Sequence, residues 1–217
     1  MIRCDVAPRS ASTLDHIPVV IDRAEVCRYL GYPSSANPHP AAARIVEDVI
    51  AEARRTLRPR GAWALYDLAA RDRRSLTIRP DVTVRGAISD FLGLADRVAV
   101  VVATAGAEIA TRTEAARRSG DLVGALVWDA VGSHVAETAA DALSYDIRRH
   151  LAPGDGLTLR YSPGYCGMDL DQQSTLFTLV SAETAGVTLH PTLIMDPIKS
   201  VSGLYGIGPV AEIEAHR

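Results

Sequence analysis

One helical stretch constrains this chain more than any other feature. From Asp121 to His150, the residues Leu122, Leu126, Val131, Val135, Ala139, Ala142, Leu143 and Ile147 recur as a continuous apolar stripe. At 1.5 Å per residue, about 28 residues reach roughly 42 Å, longer than a small domain is wide. A helix of that length must run across the core and needs a broad apolar partner. Gly124 and Gly132 cost the helix about 1 kcal/mol each relative to alanine, so both are expected where another element comes close.

The partner is expected to be a sheet. Val98 to Ala103 is apolar on both faces, as a central, fully buried strand would be. Trp63, Leu65 and Asp67 alternate with Ala64, Tyr66 and Leu68, and Leu76–Ile78 and Val82–Val84 are short β-branched pieces. The charged run Arg71–Arg74 suits a solvated hairpin tip. Shorter helices are predicted over Arg23–Leu30, Ala41–Arg58 and Ala107–Ser119, the last closed by Gly120. Pro33 to Pro40 reads as a loop. Residues 1–20 read as an N-terminal arm, with Ile17–Ile21 as a possible edge strand, and residues 21–217 as the domain proper.

The last quarter mixes elements. Leu157–Tyr161 reads as a strand and Ser162–Met168 as a glycine–proline loop. Asp169 with Gln172 reads as a capping box for a helix ending at Gly186, and strands over Val187–Met195 and Ser200–Ile207 follow. Helices and strands do not alternate as βαβ units. The expected fold is therefore α+β: a single domain with a largely antiparallel sheet and one long amphipathic helix.

Composition narrows the functional classes. Of 217 residues, 47% are hydrophobic, which excludes a disordered chain. The longest apolar run falls far short of the ~20 residues a membrane span needs. Twenty-three basic and 26 acidic residues give a net charge of −3, without the basic footprint of a nucleic-acid binder. Cys4, Cys27 and Cys166 have neither the spacing nor the histidine company of a disulfide framework or zinc site. The opening residues lack the apolar stretch of a secretory signal, so the expected compartment is the cytoplasm.

Conventional catalytic signatures are absent: there is no phosphate-binding P-loop, dinucleotide fingerprint, zinc-protease motif or nucleophile elbow. Asp129, Glu137 and Asp141 fall near one face of the long helix, where a solvated polar stripe is the plainer reading. A lone histidine such as His134 is more commonly a helix-face or core residue than a base. Two segments stand out. Arg160-Tyr161-Ser162-Pro163-Gly164-Tyr165-Cys166-Gly167 places an arginine fork at a strand end, beside glycines that let a ligand approach the backbone. Taken alone, it is more often a tight turn with a surface arginine. Lys199-Ser200-Val201-Ser202-Gly203-Leu204-Tyr205-Gly206-Ile207-Gly208-Pro209 is a glycine-thinned strand, which packing explains equally well.

Together, at this separation, Arg-x-x-Pro-Gly-Tyr and Ser-Val-Ser-Gly-x-Tyr resemble the activation (reactivation) domain of cobalamin-dependent methionine synthase. The clearest similarity runs from Leu157 to Pro209. Ile21–Tyr32 and Thr104–Ile109 resemble free-standing members of that family. The resemblance implies an S-adenosylmethionine site in which Arg160 holds the ligand carboxylate. It places Tyr205 and the Gly206 backbone on the same ligand, with Ser162 and Gly164 supplying main-chain groups. Tyr165 would lie near both ligand and corrin, Glu137 at the helix carboxylate, and Asp22 on the ligand amino group. The implied chemistry is reductive methylation, in which a one-electron-reduced cobalamin attacks the sulfonium methyl, so no general base is needed. No D-x-H-x-x-G cobalamin motif is present, so the cobalamin would be supplied by a partner: a corrinoid-binding protein or truncated methionine synthase, with a flavodoxin-like electron donor. The segment Cys166-Gly167-Met168-Asp169 departs from the fused domain, so corrinoid contacts do not carry over to it. That departure motivates the alternative of a non-catalytic escort module for a corrinoid protein.

Overall fold

The computed structural model describes residues 7–33, 38–78 and 80–214. Strand β1 (Ser10–Leu14) is followed by helices α1 (Arg23–Tyr29) and α2 (Pro40–Thr56). Strands β2 (Arg60–Arg71), β3 (Ser75–Ile78) and β4 (Val82–Arg85) lead into the short α3 (Ile88–Leu92) and then β5 (Arg97–Thr104). Helix α4 (Glu108–Arg118) precedes the long α5 (Leu122–Arg148). The remainder comprises β6 (Asp155–Leu157), α6 (Gln172–Leu179), a 3-10 turn (Ala182–Ala185), β7 (Thr188–Leu189), β8 (Met195–Asp196), β9 (Ser200–Pro209) and α7 (Val210–Glu214).

The main sheet runs β4-β3-β2-β5-β9-β6, with β1 also on β2, and every pairing is antiparallel. A register shift between Leu68 and Ala70 marks where β2 exchanges β1 for β3 along one edge. β5 is central and buried on both sides, as its composition predicts. Val98, Val100 and Val102 face a core closed by α3, α6 and the β3–β4 hairpin, while Ala99, Val101 and Ala103 face α5. The result is an α+β fold with the long helix laid across one face of a curled antiparallel sheet.

Small residues set the depth of α5. Ala139 and Ala140 are buried against the sheet beside Leu143, and a Cβ at Gly61 would come within 2.8 Å of the Leu143 side chain. Gly132 fits its expected role, because a Cβ there would lie 2.7 Å from Ile109 and 2.9 Å from Lys199. Gly124 does not: its nearest neighbour is the carboxylate of Asp121, which caps the helix by accepting from the Gly124 N–H.

Several boundaries differ from the sequence reading. The apolar stripe fails over the first turns of α5, where Leu122 and Leu126 are exposed. There α1, α2 and α4 cover the helix in place of the sheet, and they bury Ala125, Val127 and Trp128. The N-terminal strand lies at Ser10–Leu14, not Ile17–Ile21, because Ile17 and Ile21 sink into the core as anchors in irregular chain. The expected helix from Asp169 to Gly186 is broken. Val180 turns extended, the 3-10 turn follows, and Gly186 closes it in the left-handed conformation. No capping box forms at Asp169, since Gln172 instead accepts from Arg85 N and donates to Asp171. Val187–Met195 is a small β7–β8 hairpin, and the strand expected over Leu157–Tyr161 stops at Leu157, with a bridge from Tyr161 to Leu204. Pro40 begins α2; residues 34–37 of the expected loop, and Cys4, lie outside the described residues.

A histidine joins the N-terminal segment to α5. The backbone N–H of Asp22 donates to Nε2 of buried His134 at 3.0 Å, so that nitrogen carries no proton. Burial lowers the His134 pKa below its ordinary value, and the charges of Glu25 and Asp22 only partly oppose this. A histidine with a depressed folded-state pKa contributes stability above its unfolded pKa, and that stability is lost as pH falls through the folded value. Urea unfolding from about pH 7.5 to about pH 5 is expected to lose stability in the parent and much less in His134→Gln, which keeps an acceptor. Equal losses in both would place the acid sensitivity elsewhere. Leu143→Ala should cost about 2–5 kcal/mol, whereas Leu126→Ala should cost less than about 0.5 kcal/mol by the same measurement.

Candidate functional site

The site forms where β6 peels away from β9. Thr158 interrupts regular pairing by spending its hydroxyl on the Gly206 N–H at 2.9 Å, and its own N–H donates to Gly206 O. Reciprocal bonds between Tyr161 and Leu204 then re-attach the strand. Between these points Arg160 projects over the face of β9 that carries α5. Gly203 makes this possible, since a Cβ there would fall 2.8 Å from Arg160 Cγ and from Ser162 Oγ.

Arg160 is 18% exposed and held from two sides. Its Nη2 donates to Glu137 Oε2 at 2.8 Å, and its Nε donates to Ser162 Oγ at 3.2 Å. Burial alone disfavours the guanidinium charge, but the hydrogen bond and the charge of Glu137 outweigh it and raise the pKa. Tyr205, two residues after Gly203 on the same strand face, is buried beneath this pair, and its hydroxyl reaches Ala140 O. Burial pushes its phenol pKa up, and nearby Arg160 opposes that shift. Asp141 stands one turn beyond Glu137. The surrounding protein desolvates its carboxyl and raises its pKa, with Arg160 and His134 pulling it back.

These residues border a cavity of about 610 Å³. Arg160, Glu137 and Ser162 form its charged end. Phe91 stacked on Tyr161, with ring centroids 4.6 Å apart, and the exposed Tyr165 supply aromatic surface. The opposite wall is the Leu193–Met195 turn, fixed by buried Gln173. Gln173 donates to Leu193 O at 2.7 Å and receives the hydroxyl of Ser202 at 3.2 Å.

Of the residues singled out in the sequence, Glu137, Arg160, Ser162 and Tyr165 therefore meet in one cavity. Gly164 turns the adjoining loop at φ 84°, and its N–H is engaged by Met168 O. Tyr205 lies under Arg160 and off the cavity wall. Gly206 is displaced further. It sits on the other face of β9 against Leu92 and Ala95, with both backbone groups bonded to Thr158, because two-residue periodicity separates it from Gly203 and Tyr205. Asp22 caps α1 by accepting from Ala24 N and reaches α5 at His134, three residues before Glu137. The expected row of Asp129, Glu137 and Asp141 is divided, since Asp129 pairs with Lys199 at 2.8 Å. Gln173 and the Leu193–Met195 turn were not legible as site elements, because no local motif connects a helical glutamine to a carbonyl twenty residues on. Among the described residues, no helix is long and apolar enough to cross a membrane.

Comparison with known proteins bears on the fold and the family. No curated protein matches the sequence. Among solved structures, the crystal structure of the MetH reactivation domain bound to AdoHcy aligns with a TM-score of 0.72 over 94% of this chain and 81% of that one. At 18% identity this likeness is one of fold. The profile of the family described as vitamin B12 dependent methionine synthase, activation domain, matches residues 74–213, a span that runs from the β2–β3 tip through Glu137, the whole cavity and β9. The chain belongs to that family of activation domains.

Proposed function

We propose that this domain binds S-adenosylmethionine through its amino-acid head at Arg160 and Glu137 and supports remethylation of a corrinoid held by a partner protein. The observation that carries the reading is the state of Arg160. Nη2 donates to Glu137 and Nε to Ser162, and Tyr205 also engages the guanidinium, so the five-donor fork at the cavity's border keeps N–H groups for a ligand carboxylate without releasing Glu137. Glu137, 41% exposed, keeps an oxygen available for an ammonium group. A cation and an anion side by side at a cavity's end match the head of a zwitterionic amino acid.

Family membership supports the cobalamin-linked role, and the bound AdoHcy named for the structural neighbour supports the ligand class. In this reading Ser162 steadies Arg160, and Tyr205 lines the buried side of the guanidinium. Gly164 shapes the loop that presents Tyr165 to the ligand and to the incoming corrin. Asp22, whose backbone is bonded to His134 of α5 three residues before Glu137, adds negative charge on that side of the helix, which favours a positively charged ligand. A corrinoid held by a partner and reduced by a separate electron donor would supply the nucleophile. The chain's own contribution is to hold the sulfonium methyl in place, which converts a bimolecular transfer into a positioned one.

Calorimetry with S-adenosylmethionine and S-adenosylhomocysteine should show saturable binding. Arg160→Ala should weaken both by about 10- to 150-fold, equivalent to about 1.5–3 kcal/mol for a charge-assisted bond. The same variant should bind 5′-methylthioadenosine, which lacks the amino-acid head, as the parent does. Equal losses for all three ligands would remove Arg160 from the carboxylate role. Absence of any S-adenosylmethionine binding, together with capture of a corrinoid protein, would support the escort module instead.

Glu137→Gln retains an oxygen for Arg160 and removes only the charge. Its thermal unfolding should stay within about 0.5 kcal/mol of the parent, while methyl transfer to the partner corrinoid slows. Unchanged transfer would return Glu137 to a purely supporting role for Arg160.

A further inference from the structure

We propose that a second cleft, at the β3–β4 end of the sheet, is a binding site for a nucleoside phosphate. It has a volume of about 810 Å³ and is bordered by Arg73, Arg74 and Arg85 together with Asp90 and Asp169. Gly86, Ala87 and Gly167 also line it and contribute little side chain of their own to its wall.

The three arginines differ from Arg71, Arg97 and Arg160. Arg97 and Arg160 are ion-paired, and Arg71 donates to the carbonyls of Gly93 and Ala95. Among the described residues, the guanidinium groups of Arg73, Arg74 and Arg85 have no hydrogen bond or ion pair. The nearest carboxylate in sequence, Asp72, is committed to the turn. It accepts from Arg74 N, Ser75 N and the Ser75 hydroxyl, and those bonds hold its pKa below the ordinary value. The hairpin register then brings Arg85 opposite Ser75, next to Arg74. Three unpartnered cations thus meet at one concave place on a chain whose net charge is −3.

Guanidinium forks match phosphate oxygens, and two phosphates satisfy three forks better than one. The two aspartates give the cleft both signs of charge. A bare polyanion meets repulsion at Asp90 and Asp169, whereas a phosphate ester with donor groups at its other end can hydrogen-bond to them. Ribose hydroxyls and a base amino group provide such donors. A concave, glycine-lined recess also suits a small ligand better than the flat face of an acidic protein would.

The test is calorimetry with ADP, pyrophosphate and adenosine on the full chain. ADP is expected to bind more tightly than pyrophosphate, and adenosine not to bind in the cleft. The combined variant Arg73→Gln, Arg74→Gln, Arg85→Gln should weaken ADP by at least about tenfold, and rising salt should weaken it in the parent. All three residues are exposed, and matching circular dichroism would establish that the variant folds. Arg160→Ala should leave ADP binding unchanged. The proposal is overturned if ADP fails to bind at millimolar concentration, if the triple variant binds it equally, or if Arg160→Ala abolishes it, which would put the nucleotide in the other cavity. Displacement of ADP by polyglutamate, with no pyrophosphate binding, would overturn it in favour of an acidic-protein surface.

Discussion

The depth at which α5 lies on the sheet governs the rest of the structure. Ala139, Ala140 and the bare Cα of Gly61 let the helix descend until Leu143 and Ile147 are fully buried against β2, β5 and β9. Packing at this distance leaves little slack, since core interiors have the density of crystals. One consequence is local. Residue 137, on the flank of the helix, stands within hydrogen-bond reach of the strand that departs from β9, and a shift of one helical turn would carry the carboxylate about 5.4 Å away. The Trp63 indole N–H, which donates to Asp146 at 2.8 Å, fixes the helix along its axis from the other end.

Electrostatics in the cavity follow from that placement. Arg160 is buried enough that an unpartnered charge would be costly, and Glu137 together with the Ser162 hydroxyl removes most of the cost. Glu137 retains far more solvent contact than its partner, so the pair is polarised: a fixed cation at the cavity's end and a wetter anion beside it. Asp141, whose pKa desolvation raises, adds a second carboxyl further along the helix. In the proposed role, a ligand with one negative and one positive group would meet a complement for each already paired in place, which would lower the ordering cost of binding.

What the sequence revealed depended on how local the governing interactions are. β5 was legible because six consecutive apolar residues have one good explanation, and α5 because its stripe is long. The stripe misled at Leu122 and Leu126, where neighbouring helices rather than periodicity decide which side is covered. The same limit applies at the site. Arg160, Ser162 and Tyr165 share one short motif, and Glu137 came through the resemblance. Gln173 is set by bonds to Leu193 and Ser202, contacts that exist only once α6, the β7–β8 hairpin and β9 are assembled. Gly206 stands apart from the cavity for a simpler reason: its N–H and C=O are both bonded to Thr158, and its open side faces Leu92 and Ala95.

The loop after Tyr161 combines firmness with exposure, and the two properties have separate sources. Tyr161 is fully buried, stacked on Phe91, and its hydroxyl accepts from Ala87 N while donating to Cys166 O. Bonds from Gly164 N to Met168 O and from Met168 N to Tyr165 O close the loop on itself. Glycines at 164 and 167 and the positive φ of Cys166 allow that tight path. The backbone is thereby fixed, yet the ring of Tyr165 at its apex is 70% exposed. Leu170 and Ile194 extend the exposed apolar surface around the same cavity mouth. A large apolar rim on a firmly held loop has little to contribute to the isolated domain's stability. It is suited to meeting a second surface with little further loss of entropy, directly above the place where Arg160 would hold a ligand.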